Sequence, residues 1–115
     1  SKREYLGGAI LPGVNMSMQA LAQKTAQLPN VEIGVPQKAC GTNTAEAIQS
    51  GLYYGALGGI KELISAYTRE IFSGRKPMVL GTGGFSHLFN GEGIFNEVIP
   101  SLIFDGLLCT LKMNR

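Results

Sequence analysis

From Asn43 to Ser73 apolar side chains recur at a helical spacing: Ala47, Ile48, Leu52, Ala56, Ile60, Leu63, Ile64, Tyr67 and Ile71. No other segment is periodic over such a length, so a fold for this chain must be built around one long helix. Asn43 is a good N-cap with Glu46 at the capping-box spacing, and Ser73-Gly74 supplies the stop. The helix carries Gly51, Gly55 and Gly59 on one face. An interior glycine costs about 0.8 to 1 kcal/mol relative to alanine. A close contact against that bare stripe, from the same chain or a second subunit, is therefore predicted. Gly58-Gly59 is the place where a bend or a break into two helices is expected.

Around this helix the other elements are shorter. Tyr5 to Leu11 is apolar and stopped by Pro12-Gly13, which predicts a strand feeding a turn. Val14, Met18, Leu21, Ala22, Thr25 and Leu28 follow a helical period that Pro29 ends. Residues 30 to 42 read as a connector in which the alternation of Val31, Ile33 and Val35 leaves room for a short edge strand. Met78-Val79-Leu80 predicts a buried strand, Phe85 to Phe89 a short helix, and Phe95 to Ile99 another short strand. Pro100 then precedes a last helix carrying Leu102, Ile103, Leu107, Leu108 and Leu111. This order predicts an α/β fold of two or three layers.

Composition narrows the function. A chain of 115 residues with 44% hydrophobic content is expected to form one domain. Its net charge of +2 comes from lysines and arginines spread along the sequence, which is no nucleic-acid footprint. Cys40 and Cys109 lie far apart and His87 is the single histidine, so no zinc set exists and two reduced thiols are expected. No apolar run approaches the roughly 18 residues that span a bilayer, and no signal-peptide pattern opens the chain. A soluble, cytoplasmic protein is expected. Asp105 is the single aspartate and the glutamates are scattered, which leaves the chain short of the carboxylates that phosphoryl transfer uses. With Ser1 opening in what reads as mid-element, the expectation is one part of a larger protein.

Two segments are candidate ligand contacts. Gly81-Thr82-Gly83-Gly84 follows a strand where open α/β sheets bind ligands, and its freed backbone N–H groups could receive an anion or a nucleoside. A tight strand-to-helix turn needs glycine in any case. Gly41-Thr42-Asn43-Thr44 places hydroxyl and amide groups at a helix start, suited to a polar small molecule or to capping alone. Gly7-Gly8-Ala9-Ile10 reads first as turn chemistry, and His87 as a solvated loop residue.

Taken together, these segments resemble type III pantothenate kinase from end to end. The motifs are Gly7-Gly8-Ala9-Ile10-x-Pro12-Gly13, Thr25-Ala26-x-Leu28-Pro29, Gly41-x-Asn43-Thr44 with Ala47-x-Gln49-Ser50-Gly51-x-x-Tyr54-Gly55, Thr82-Gly83-Gly84, and Leu102-x-x-x-Gly106-Leu107, in that order. The resemblance implies the C-terminal half of an actin-like ATPase kinase, a ribonuclease-H-like half-domain with a mixed sheet flanked by helices. It implies ATP-dependent phosphorylation of pantothenate, with Mg2+ and a monovalent cation (K+ or NH4+), in a homodimer whose pantothenate pocket lies at the subunit interface. It implies that Thr44, with Asn43 beside it, contacts pantothenate, and that Gly81, Thr82, Gly83 and Gly84 form the adenosine-side turn. The family's phosphate loop, catalytic-base aspartate and cation-holding aspartate belong to the missing N-terminal half, so no catalytic or metal residue is expected here and the isolated chain is expected to be inactive. Thr42 stands where a basic residue is common, Gly81 where alanine is usual, and Phe85-Ser86-His87 replaces an apolar or small run. The same family includes non-catalytic accessory factors, and a bare dimerisation module is a further alternative.

Overall fold

The computed structural model describes residues 3–24 and 28–115, and its backbone is α/β. Helix α1 (Val14–Lys24) and helix α2 (Thr44–Glu70) pack on each other. After α2 come strand β1 (Leu80–Gly81), a 3-10 helix (Ser86–Glu92), strand β2 (Glu97–Val98) and helix α3 (Leu102–Met113). The two strands pair in parallel, Leu80 opposite Glu97 and Gly81 opposite Val98. The ladder is extended by Asn96 N–H donating to the Val79 carbonyl (2.7 Å) and Ile99 N–H to the Gly81 carbonyl (2.8 Å). The core is Val14 and Met18 of α1, Ile48, Leu52, Tyr53 and Leu57 of α2, and Phe89 of the 3-10 helix. Among the described residues no helix is long and apolar enough to cross a membrane.

Helix α2 runs for 27 residues without the expected break at Gly58-Gly59. The reason lies downstream, where Glu92 contacts the helix on both sides of that pair. Tyr53 Oη donates to one carboxylate oxygen (2.6 Å), and Lys61 Nζ lies 3.7 Å from the other. Tyr53 also stacks on Phe89 at a ring separation of 5.4 Å. Glu92 is thus a splint across the weakest part of the helix. The hydrogen bond to Glu92, then burial, pushes the Tyr53 hydroxyl up to about 12. A hydroxyl whose pKa is raised by folding contributes stability in full below its unfolded value of about 10, lost as pH climbs from there to about 12. Tyr53→Phe is expected to cost about 1 to 2 kcal/mol at neutral pH and to flatten the loss of stability between those two pH values, both read from urea unfolding midpoints.

Two predicted strands are not formed. Tyr5 to Leu11 is extended but unpaired and exposed, Tyr5 at 88% and Ile10 at 102%; a strand needs a neighbour for its backbone, and no described segment supplies one. Val31 to Val35 is irregular because side chains of α2 take the place of a ladder. Gln49 Nε2 donates to the Glu32 carbonyl (3.2 Å), and further along the connector Ser50 Oγ donates to the Ala39 carbonyl. Glu46, Gln49 and Ser50 recur at helical spacing, so one polar stripe of α2 holds the connector. The predicted first helix reaches Leu28, but the helix is described only to Lys24, and Thr25, Ala26 and Gln27 lie outside the described residues.

Candidate functional site

Thr44 is the first residue of α2, and its position is fixed by what surrounds it. Asn43 Oδ1 accepts from the Glu46 N–H (2.9 Å), as a helix cap should. The predicted capping box is displaced by one residue: the Glu46 carboxylate accepts from Thr42 N–H (2.8 Å) and Thr42 Oγ1 (2.9 Å) rather than from Asn43. Lys38 Nζ completes the knot, 3.1 Å from Glu46 and 2.9 Å from Thr42 Oγ1. The Thr42 N–H, then its hydroxyl, then Lys38 hold the Glu46 carboxyl down to about 2. A carboxyl depressed by folding contributes stability above its unfolded value near 4.5, lost as pH falls toward 2. The knot therefore holds at neutral pH.

Gly41 makes the knot possible. A Cβ at this position would sit 2.5 Å from the Glu46 carbonyl carbon and 2.8 Å from Ala47 Cα, inside the first turn of α2. Both obstacles are backbone and cannot swing away. Gly41→Ala is expected to destabilise the protein by about 1 to 3 kcal/mol and to displace Thr44, so that heat-scanning midpoint and ligand affinity fall together. The sequence signal for this approach is the place of Gly41 two residues before a strong cap.

Within this chain the glycine stripe has no close packing against it. Added Cβ atoms at Gly51 and Gly55 would meet nothing within 4 Å, and one at Gly59 would make ordinary contact with Leu11 Cδ2 at 3.6 Å. No helix of the described residues lies over it. Gly51 and Gly55 line open clefts. One, of about 950 Å3, lies between α1 and α2, with Met16, Ser17 and Leu21 on one wall and Thr44, Ile48 and Gly51 on the other. Its lining is apolar but for the hydroxyls of Ser17 and Thr44. A second cleft of about 220 Å3 continues along α2 past Gly51 and Gly55.

The glycine turn lines a third cleft, of about 310 Å3, where Thr82, Gly83 and Gly84 face Pro12-Gly13 and Ala56 of α2. Gly83 has a φ of 92°, a conformation that side chains strain to adopt. Gly81 is set apart from the other three. It ends β1, is buried, and sits so close to Phe95 that a Cβ would lie 2.8 Å from its ring. Glycine at this position is thus coupled to the bulk of Phe95. Thr44 and the glycine turn do not share a cavity in this chain, but Pro12 lines all three clefts. Leu11 and Gly13 join it on the third cleft, so the end of the Gly7 to Gly13 segment borders both candidate sites. His87 is exposed, as are Cys40 and Cys109, both free thiols. Among the described residues no three His, Cys, Asp or Glu side chains come together to hold a metal ion.

A polar helix start on an apolar cleft, with a glycine turn beyond a parallel strand, is the arrangement of a small-molecule-binding α/β protein. Known sequences make the class specific. A family model described as type III pantothenate kinase matches residues 1–66. The type III pantothenate kinase of Legionella pneumophila (strain Corby) is 47% identical over 113 residues, covering 98% of this chain and 44% of the relative. Type III pantothenate kinase 1 of Francisella tularensis subsp. holarctica (strain OSU18) gives the same identity and coverage. The Dehalococcoides mccartyi (strain CBDB1) type III pantothenate kinase is 44% identical, covering 97% of this chain and 42% of its own length. The chain belongs to the type III pantothenate kinase family. It spans less than half the length of these curated relatives.

Proposed function

We propose that this chain is the C-terminal domain of a pantothenate kinase, which phosphorylates pantothenate to 4'-phosphopantothenate with ATP in coenzyme A biosynthesis. The observation that carries the proposal is identity of 44 to 47% to pantothenate kinases along nearly the whole chain. In this reading the half-domain is ribonuclease-H-like, and the short parallel pair β1–β2 is a part of its mixed sheet. The protein is cytoplasmic and works as a homodimer.

The role of this chain is to bind and orient. Thr44 presents its hydroxyl to pantothenate from the first turn of α2, into a pocket completed by a second subunit. Asn43 commits its Oδ1 to the cap, so its contact with substrate comes through the amide nitrogen. Gly81 to Gly84 takes the adenosine side of ATP, with Thr82 to Gly84 open to the nucleoside and Gly81 anchoring the turn in the sheet. Mg2+ and the monovalent cation, K+ or NH4+, neutralise phosphate charge when bound. Neither ion is assigned to a residue of this chain, and no step is routed through them. Rate in such a transfer comes from positioning and charge stabilisation. The full-length protein, incubated with ATP, Mg2+, K+ and pantothenate, is expected to form phosphopantothenate by mass spectrometry. Absence of product under these conditions would overturn the proposal.

A further inference from the structure

Helix α3 carries an apolar stripe with nothing on it. Ile103, Phe104, Leu107, Leu108 and Leu111 fall on one face of the helix, while Asp105, Cys109 and Lys112 fall on the other. Each of the five is more than half exposed, from 55% at Leu108 to 68% at Ile103. No residue of α3 is buried. A helix of 12 residues is marginal in water without tertiary packing. Its start has no side-chain cap on the backbone, because Ser101 Oγ donates to the Asp105 carboxylate instead. Local terms therefore do not account for α3, and a partner surface must.

We propose that the stripe of α3 is the docking face for the remainder of its own polypeptide, the part of the longer relatives that has no counterpart in these 115 residues. The proposal rests on the reading that this chain is one domain of a longer kinase. Three observations select this occupant. More than half of each relative lies outside the matched region, enough to supply a covering domain. The radius of gyration is 17.2 Å, against about 13 Å for a compact chain of this length, as expected of a piece cut from a larger globule. Five side chains on a 12-residue helix fall short of the 20 to 30 residues a side of a stable interface between separate molecules. A contact within one polypeptide does not carry that association cost. A second copy is thus the weaker fit.

The test is photo-cross-linking in the full-length protein, with benzoylphenylalanine in place of Leu107 and, as a control on the opposite face, in place of Cys109, which is exposed. An equal mixture of 14N- and 15N-labelled protein is irradiated and the linked peptides are mapped. Linkage from position 107 to a peptide outside residues 1–115, isotopically unmixed, with at least tenfold less linkage from position 109, is the expected result. Mixed-isotope linkage would assign the stripe to a second copy, and linkage within residues 1–100 would assign it to this domain; either overturns the proposal. So does the absence of linkage together with unprotected α3 amides in hydrogen exchange. Kinase turnover measured on the same preparation separates the two readings: turnover without the cross-link sinks only the docking face, and the cross-link without turnover sinks only the kinase.

Discussion

Thr44→Val in the full-length protein is expected to lower kcat/KM for pantothenate by roughly 10- to 100-fold, the loss of one hydrogen bond worth about 1.4 to 2.7 kcal/mol to a polar or charged group. Valine keeps the shape and removes the hydroxyl. The change should leave folding nearly untouched, because Asn43 and not Thr44 caps α2 and because Thr44 is exposed. A thermal midpoint within about 2 °C of the parent is therefore part of the prediction, a surface change of this kind being worth under about 0.5 kcal/mol. Thr44→Ser restores the hydroxyl and should recover most of the activity. The KM for ATP should stay within about twofold, since the glycine turn lines a separate cleft. An equal loss for both substrates would place Thr44 in a different role.

Met18→Ala tests the framework rather than the chemistry, and is expected to cost about 2 to 5 kcal/mol. Met18 is 2% exposed, in a core cluster that includes Val14 of α1 and Ile48 and Leu52 of α2. Truncation leaves a cavity where the two helices meet, and one wall of the cleft beside Thr44 rides on α1 through Met16 and Leu21. Stability and pantothenate affinity should fall together, the first read from the urea midpoint and the second from KM. Met16→Ala is the control. That side chain is 63% exposed, and its loss should cost under about 0.5 kcal/mol.

The helices were legible in the sequence because their signals are local. The period of α2, its Asn43 cap and its Ser73-Gly74 stop are written within a few residues of where they act, and Ser73 and Gly74 do turn to positive φ. What was not legible depends on partners distant in sequence. The splint that keeps α2 unbroken at Gly58-Gly59 is Glu92, reaching back 39 residues to Tyr53. The alternation of Val31, Ile33 and Val35 is the pattern of a strand, yet Gln49 takes a backbone acceptor in their midst. Tyr5 to Leu11 has strand composition and no neighbour among the described residues, a fact no local pattern contains. The glycine stripe was read as a sign of close packing by this chain or a second subunit, and the described residues of this chain supply no such contact.

The site was legible in parts. Asn43-Thr44 and Thr82-Gly83-Gly84 could be singled out as helix start and strand-end turn. Their chemical meaning came from the ordered resemblance rather than from either segment. The Lys38–Thr42–Glu46 knot was half visible, since Glu46 sat at the right spacing but gave its carboxylate to Thr42 instead of the cap residue. The approach of Gly41 to the first turn of α2, and the place of Pro12 on all three clefts, required the fold.

The central claim is that Thr44 serves a pocket completed by a second subunit and by carboxylates from outside these residues. Mixing two full-length variants, Thr44→Val and one lacking the upstream catalytic carboxylate, tests it most directly, after unfolding and refolding them together to exchange subunits. If Thr44 acts across a symmetric dimer, each mixed dimer regains one intact pocket, and turnover should recover to about a quarter of the parent value. Recovery no greater than the sum of the two variants alone would contradict the account.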